Sequence, residues 1–197
     1  PYPIFAFAAV LPWTYFAEAV RRGSTGLVNE SNLVRKVYFP RMIIPLSGVL
    51  APLLDFTIAF FVLIAMMLLM GVTPTWRLAA AFPLVLVAGS MALAVSLWLA
   101  PINVRYRDIK YTMTFMLQIW MYASPVVYSS TMVPEKWKWV YALNPMVGVI
   151  EGFRWAVTGQ GEPDMMALGI GASLIILLLF GGLLFFKRLE RNFADLI

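Results

Sequence analysis

Apolar residues in this chain come in long runs separated by short polar stretches, without the alternation of a half-buried strand. A helix needs roughly 20 mostly apolar residues to cross a bilayer core. Five runs reach that range, at about 4–20, 43–70, 78–102, 112–128 and 166–186. The pattern predicts an all-α polytopic helix bundle with five spans. The second run is the longest and carries Pro45 and Pro52, which predicts a kink or a portion outside the bilayer core.

Charge in the connections sets the expected polarity. Arg21, Arg22, Arg35, Lys36 and Arg41 follow the first run. Arg105, Arg107 and Lys110 follow the third, and Lys187, Arg188 and Arg191 follow the fifth. The intervening connections hold only Arg77, Lys136, Lys138 and Arg154. By the positive-inside rule the first set is cytoplasmic, so the first run passes outside to inside and the C-terminus is cytoplasmic. Five spans of that polarity put the first residue, Pro1, outside; this predicts a further span upstream and a complete count of six.

Two connections are longer than turns. The cytoplasmic one, 21–42, is polar to amphipathic, and Ser31 or Asn32 is placed to cap a short helix over 33–39 limited by Pro40. The outer one, 129–164, carries Trp137, Trp139, Tyr141, Leu143, Val147, Ile150, Phe153 and Trp155. That content predicts two short helices, about 135–143 and 146–157, turning at Asn144-Pro145 and sitting at or dipping into the outer interface. There is no internal repeat of the kind that marks many secondary transporters.

Composition agrees with a membrane protein. The chain is 61% hydrophobic and 13% charged, against roughly half and a quarter in soluble domains, and its mean hydropathy is +0.81. The net charge of +5 lies in the connections between runs, which predicts no nucleic-acid partner. There is no Cys and no His, which excludes thiol chemistry, disulfides and the usual zinc or haem ligation, and no metal site is expected. The sequence has no G-x-x-x-x-G-K-[ST], so ATP is not bound here by that loop.

Candidate chemistry is sparse. Asp55 is the one ionisable residue deep in a run, without an evident basic partner, and reads as a structural hydrogen-bonding group. Glu18 and Arg105 lie near cytoplasmic ends, where snorkelling is cheap. In the fourth run Tyr111, Phe115, Gln118 and Tyr122 recur at steps of four, three and four, one helix face, while Trp13 and Phe16 form a similar pair in the first. Aromatic rings with an amide suit a path for sugars, whose apolar faces stack while their hydroxyls bond. Helix packing or an interfacial belt accounts for the same stripe. The segment Arg35, Lys36, Tyr38, Phe39, Pro40 and Arg41 suits either a soluble partner or anionic headgroups. Glu151 and Arg154, three apart, are expected to pair as an exposed ion pair that orients its helix.

An ordered set of motifs goes further. Leu11-Pro12-Trp13, Asn32-Leu33-Val34-Arg35-Lys36-Val37-Tyr38-Phe39-Pro40-Arg41, Asn103-Val104-Arg105-Tyr106-Arg107-Asp108, Ser124-Pro125-Val126-Val127-Tyr128, Asn144-Pro145-Met146 and Glu151-Gly152-Phe153-Arg154-Trp155 occur in that order. Together they resemble the permease subunit of type-2 ABC exporters, in the branch that exports O-antigen, capsule, teichoic acid and related polysaccharides. The resemblance implies a homodimer of six-span permeases in the bacterial inner membrane, bound to a separate nucleotide-binding subunit that holds ATP and Mg. That subunit would drive a lipid-linked glycan outward, and this chain would be no enzyme itself. It also implies that Arg35, Lys36, Tyr38, Phe39, Pro40 and Arg41 form a coupling region. Asn144, Pro145, Glu151 and Arg154 fall in an external gate, and Trp13, Phe16, Tyr111, Phe115, Gln118 and Tyr122 become a candidate substrate path. Members of that family begin with an interface helix and a further span, so 1–197 is expected to be a single permease domain lacking both.

A same-family exporter of drugs or other lipids is the alternative. An ion-coupled transporter would call for more buried ionisable residues than Asp55. A membrane enzyme on lipid-linked sugars would call for clustered acids or His, which Asp108 among its Arg neighbours does not supply.

Overall fold

A computed structural model describes residues 2–36 and 38–190, apart from the side chains of Arg35 and Thr131. Pro1, Val37 and Arg191, all noted in the sequence, lie outside the described residues. The described residues are helical with no strand: α1 (Tyr2–Asn29), α2 (Ser31–Lys36), α3 (Ile43–Leu50), α4 (Pro52–Leu69), α5 (Ala81–Arg105), α6 (Ile109–Ala123), α7 (Lys138–Ala142), α8 (Pro145–Thr158) and α9 (Met165–Glu190), with short 3₁₀ turns at Trp76–Ala80, Ser130–Met132 and Glu135–Trp137.

Among the described residues four helical stretches are long and apolar enough to cross a membrane: Tyr2–Asn29, Ile43–Leu69, Trp76–Arg105 and Met165–Glu190. The fourth predicted span is shorter than expected. Helix α6 has 15 residues, about 22 Å at the helical rise, against a core of roughly 30 Å. It stops at Ala123 because Pro125 forces the preceding residue out of the helical region, and Ser124 is extended at φ −107°, ψ 153°.

The connection 21–42 also differs from the expectation. Its opening part, 21–29, is not loop: α1 runs on to Asn29, 28 residues in all. Glu18 accepts from Arg21 and Arg22 one turn on, and Val20 and Leu27 are buried. Neither Ser31 nor Asn32 precedes the short helix as a cap; α2 starts at Ser31 and ends at Lys36, ahead of Pro40. The break expected in the second span falls at Ala51, with Pro52 opening α4, where a missing N–H costs nothing.

Helix α1 is the axis of the bundle, packed against α3, α4, α5, α6 and α8. Phe16, Leu63, Met67, Met146, Ile150 and Phe153 fill the main core around it. A second core, of Leu27, Val34, Ile44, Leu97, Val104 and Phe186, closes the end carrying α2. The crossing of α1 and α3 is set by glycine: a Cβ on Gly48 would stand 2.7 Å from the Gly23 nitrogen, so only bare backbones come this close. Outward faces stay apolar, with Leu54, Ile58 and Phe61 on α4 and Ile176, Leu177 and Phe180 on α9 exposed, as a lipid-facing surface requires.

Candidate substrate path and its two ends

Helix α6 buries only Met113 and Leu117. Its predicted stripe faces away from the bundle: Tyr111 is 68% exposed, Phe115 64% and Tyr122 59%, with Gln118 exposed beside them. The partner pair on α1 behaves differently. Phe16 is fully buried, its ring 5.4 Å from Trp13 and edge-on to Trp120 at 5.1 Å. Phe16 is therefore part of the wall and not of any open surface. Trp13 is nearly buried but borders a groove between α1 and α6 of about 420 Å³, where it meets Gln118. Four polar residues outside the predicted path also line it: Thr14, Glu18, Arg21 and Thr114. The spacing of Thr14, Glu18 and Arg21, and of Thr114 and Gln118, is that of one helix face, a signal present in the sequence.

The charges near this groove form a chain. Arg21 holds Glu18 through Nε at 2.9 Å and Nη2 at 2.6 Å, and Arg22 Nε donates to the same carboxylate at 2.6 Å. Arg22 Nη2 then reaches Asp55 at 3.7 Å. Asp55 thus has a basic partner, contrary to the sequence expectation, and its side chain is 70% exposed. The partner lies on the extension of α1, in the stretch expected to be loop.

At the end of the bundle carrying α7, Asn144 ties α6 to α8. Its Oδ1 accepts from the Trp120 indole at 2.9 Å and from the Met146 N–H at 3.1 Å, and its Nδ2 donates to Ser124 Oγ at 2.8 Å. It caps α8, and Pro145 follows as the first helical residue. The helix closes on left-handed Gly159, whose carbonyl accepts from Arg77 at 2.8 Å. The two short helices expected around Asn144-Pro145 are present, the first shortened to a 3₁₀ turn and α7.

Arg154 does not make the expected exposed ion pair with Glu151. It is buried, donates to the carbonyls of Tyr128 and Val126 at 3.0 Å each, and lies over the Phe5 ring at 3.9 Å. Those carbonyls belong to the irregular segment after α6, where Ser124, Pro125 and Val126 are buried. Burial is the main influence here: it lowers the Arg154 pKa and raises that of Glu151, which also feels a Ser130 hydrogen bond and the Arg154 charge in the opposite sense. Burial and the bond to Tyr128 push the Tyr141 phenol well above its ordinary value.

At the end of the bundle carrying α2, Lys36 is exposed and Tyr38 fully so, while Phe39 packs against the second core. Pro40 is exposed and its carbonyl accepts from Ile43. Arg41 donates to the Glu190 carbonyl, and its own N–H to Glu190 Oε1 at 3.4 Å, tying this segment to the end of α9. The Arg35 side chain lies outside the described residues. Nearby, Asn103 donates from Nδ2 to the Ser24 carbonyl at 3.2 Å, joining the end of α5 to the α1 extension.

Residues 2–158 match the family described as ABC-2 type transporter. The chain belongs to the ABC-2 type transporter family. The ABC-2 match runs from α1 to the end of α8 and takes in the groove and both of its ends. Similar proteins include the O-antigen export system permease protein RfbA of Myxococcus xanthus, 30% identical over 198 residues that cover 100% of this chain and 76% of that protein. One from Klebsiella pneumoniae bearing the same name is 26% identical over 197 residues, with the same coverage. As an ABC-2 protein with four long apolar helices among its described residues, the chain is a multi-pass membrane protein.

Proposed function

We propose that this chain is the transmembrane subunit of an ATP-driven exporter that moves a lipid-linked polysaccharide, of the O-antigen or capsule type, across the bacterial inner membrane. The observation that carries this reading is similarity along the whole chain to permeases named for O-antigen export. The exposed Tyr111, Phe115, Gln118 and Tyr122 face, with the groove beside it that carries Thr14, Thr114 and Glu18 among apolar residues, suits sugars that stack and bond. In the working unit two copies of the chain bring these faces together, and a separate nucleotide-binding subunit holds ATP and Mg.

Helix α6 serves as a fifth span in this reading. Irregular backbone at membrane depth is tolerated where protein covers it, and Arg154 occupies two carbonyls of the segment after α6. Arg35, Lys36, Tyr38, Phe39, Pro40 and Arg41 receive the motion of the ATPase on the cytoplasmic side, where the C-terminus also lies. The α7–α8 pair, pinned by Asn144 and Pro145 with Glu151 and Arg154 behind them, closes the outer mouth. An exporter of drugs or another lipid shares this architecture and differs in cargo.

Deleting the gene tests the function. Surface polysaccharide should disappear while its lipid-linked precursor accumulates at the cytoplasmic face, with both restored by the full-length gene. Unaltered surface glycan in the deletion strain would reject the exporter role.

A further inference from the structure

The groove between α1 and α6 is graded along its length. At its Trp13 end it is aromatic, toward Gln118, Thr14 and Thr114 it offers an amide and hydroxyls, and at its far end stand Glu18 and Arg21. Two guanidiniums converge there on one carboxylate: Arg21 and Arg22 both donate to Glu18 Oε1 at 2.6 Å. The arginines are accessible, with side chains 54% and 43% exposed. Exposed ion pairs of this kind contribute little stability, so the Glu18 carboxylate is easily exchanged for a stronger acceptor. A guanidinium fork matches phosphate oxygens in geometry and charge.

We infer that Arg21, assisted by Arg22, is a recognition site for a phosphate carried on a membrane lipid, with Glu18 as the resident counter-ion that the phosphate displaces. The inference rests on the exporter reading and deepens it, because a glycan joined to its lipid through phosphate presents sugar, phosphate and chain in order. The phosphate sits at the Arg21 end, which the basic connections make cytoplasmic. The first sugars lie toward Thr114, Gln118 and Trp13, and the lipid chain remains in the bilayer beside α6. Bulk phospholipid carries the same phosphate chemistry, so the cargo is set apart by its sugars and its lipid chain, for which a polyprenyl chain serves as the probe.

The test is native mass spectrometry of the purified full-length permease titrated with a long-chain polyprenyl phosphate, the matching neutral polyprenol, and phosphatidylglycerol. Arg21→Gln should weaken polyprenyl phosphate binding about tenfold or more, the loss expected for a charge-assisted bidentate contact, with Arg21→Lys between. Glu18→Gln should strengthen it about threefold, since the competing carboxylate is gone. A purely structural Glu18–Arg21 pair predicts that both substitutions act in one direction, or not at all, and either result would overturn the site. Equal binding of the neutral polyprenol would do so too, and equal binding of phosphatidylglycerol would reject a cargo site. Surface glycan measured in the same Arg21→Gln cells separates the two claims. Unimpaired export with unimpaired binding removes the site and leaves the exporter, whereas a wild-type strain that exports no glycan removes the exporter reading itself.

Discussion

Arg154 illustrates how one side chain decides whether an irregular segment can exist inside the bundle. Its place on a helix face is legible in the sequence, but its partner is not. Glu151 is three residues away, whereas the true partners, the carbonyls of Val126 and Tyr128, are separated from it by 26 to 28 residues. No periodicity reports a contact of that span. Removing the guanidinium leaves two carbonyls of a covered segment unpaired, at about 1–3 kcal/mol for each one that water cannot reach. Arg154→Met should therefore lower the thermal midpoint of the detergent-solubilised protein by several degrees, and Arg154→Lys, with one ammonium for two acceptors, should recover part of it. An unchanged midpoint in Arg154→Met would show that the segment after α6 does not depend on this contact. Asp55 carries the same lesson: its partner Arg22 comes within reach only because α1 continues past residue 21.

Among the elements, the long apolar runs are legible because twenty consecutive apolar residues seldom occur outside a membrane span. Less legible are the ends. Helix α1 overruns its apolar stretch because Arg21 and Arg22 reach back to Glu18 and buried Leu27 gives the extension a core contact. Helix α6 falls short of its apolar stretch because a proline two residues beyond its end outweighs hydropathy. The α6 stripe is visible as a periodicity, yet its direction is not, since a helical face reads the same whether it turns inward or outward. Its outward direction makes a clear prediction. Replacing Tyr111, Phe115 and Tyr122 together with Ala should sharply reduce glycan export while leaving the thermal midpoint of the isolated subunit nearly unchanged, because exposed positions away from special contacts typically shift stability by about 0.5 kcal/mol or less. A large fall in the midpoint with export preserved per folded molecule would make the stripe a packing surface. Phe16, buried beneath Trp120, belongs to the opposite class, and its removal should act through folding.

For the whole molecule, the arrangement links three levels of one axis. Arg41 is tied to the end of α9 through Glu190, α1 lines the groove with α6, and Asn144 fastens the far end of α6 to α8. Helix α1, packed against α3, α4, α5, α6 and α8, is the element shared by the two ends. On the proposed function, a separate ATPase drives this membrane unit and its cargo is a glycolipid. The most direct measurement is affinity capture of the tagged full-length permease from solubilised membranes, reading bound proteins and lipids together, beside the Arg35→Glu/Lys36→Glu variant. The wild type should retain a Walker-motif ATPase and a lipid-linked glycan, and the variant should keep the glycolipid but lose the ATPase. Capture of neither by the wild type, under conditions where the permease itself is intact, would contradict the claim.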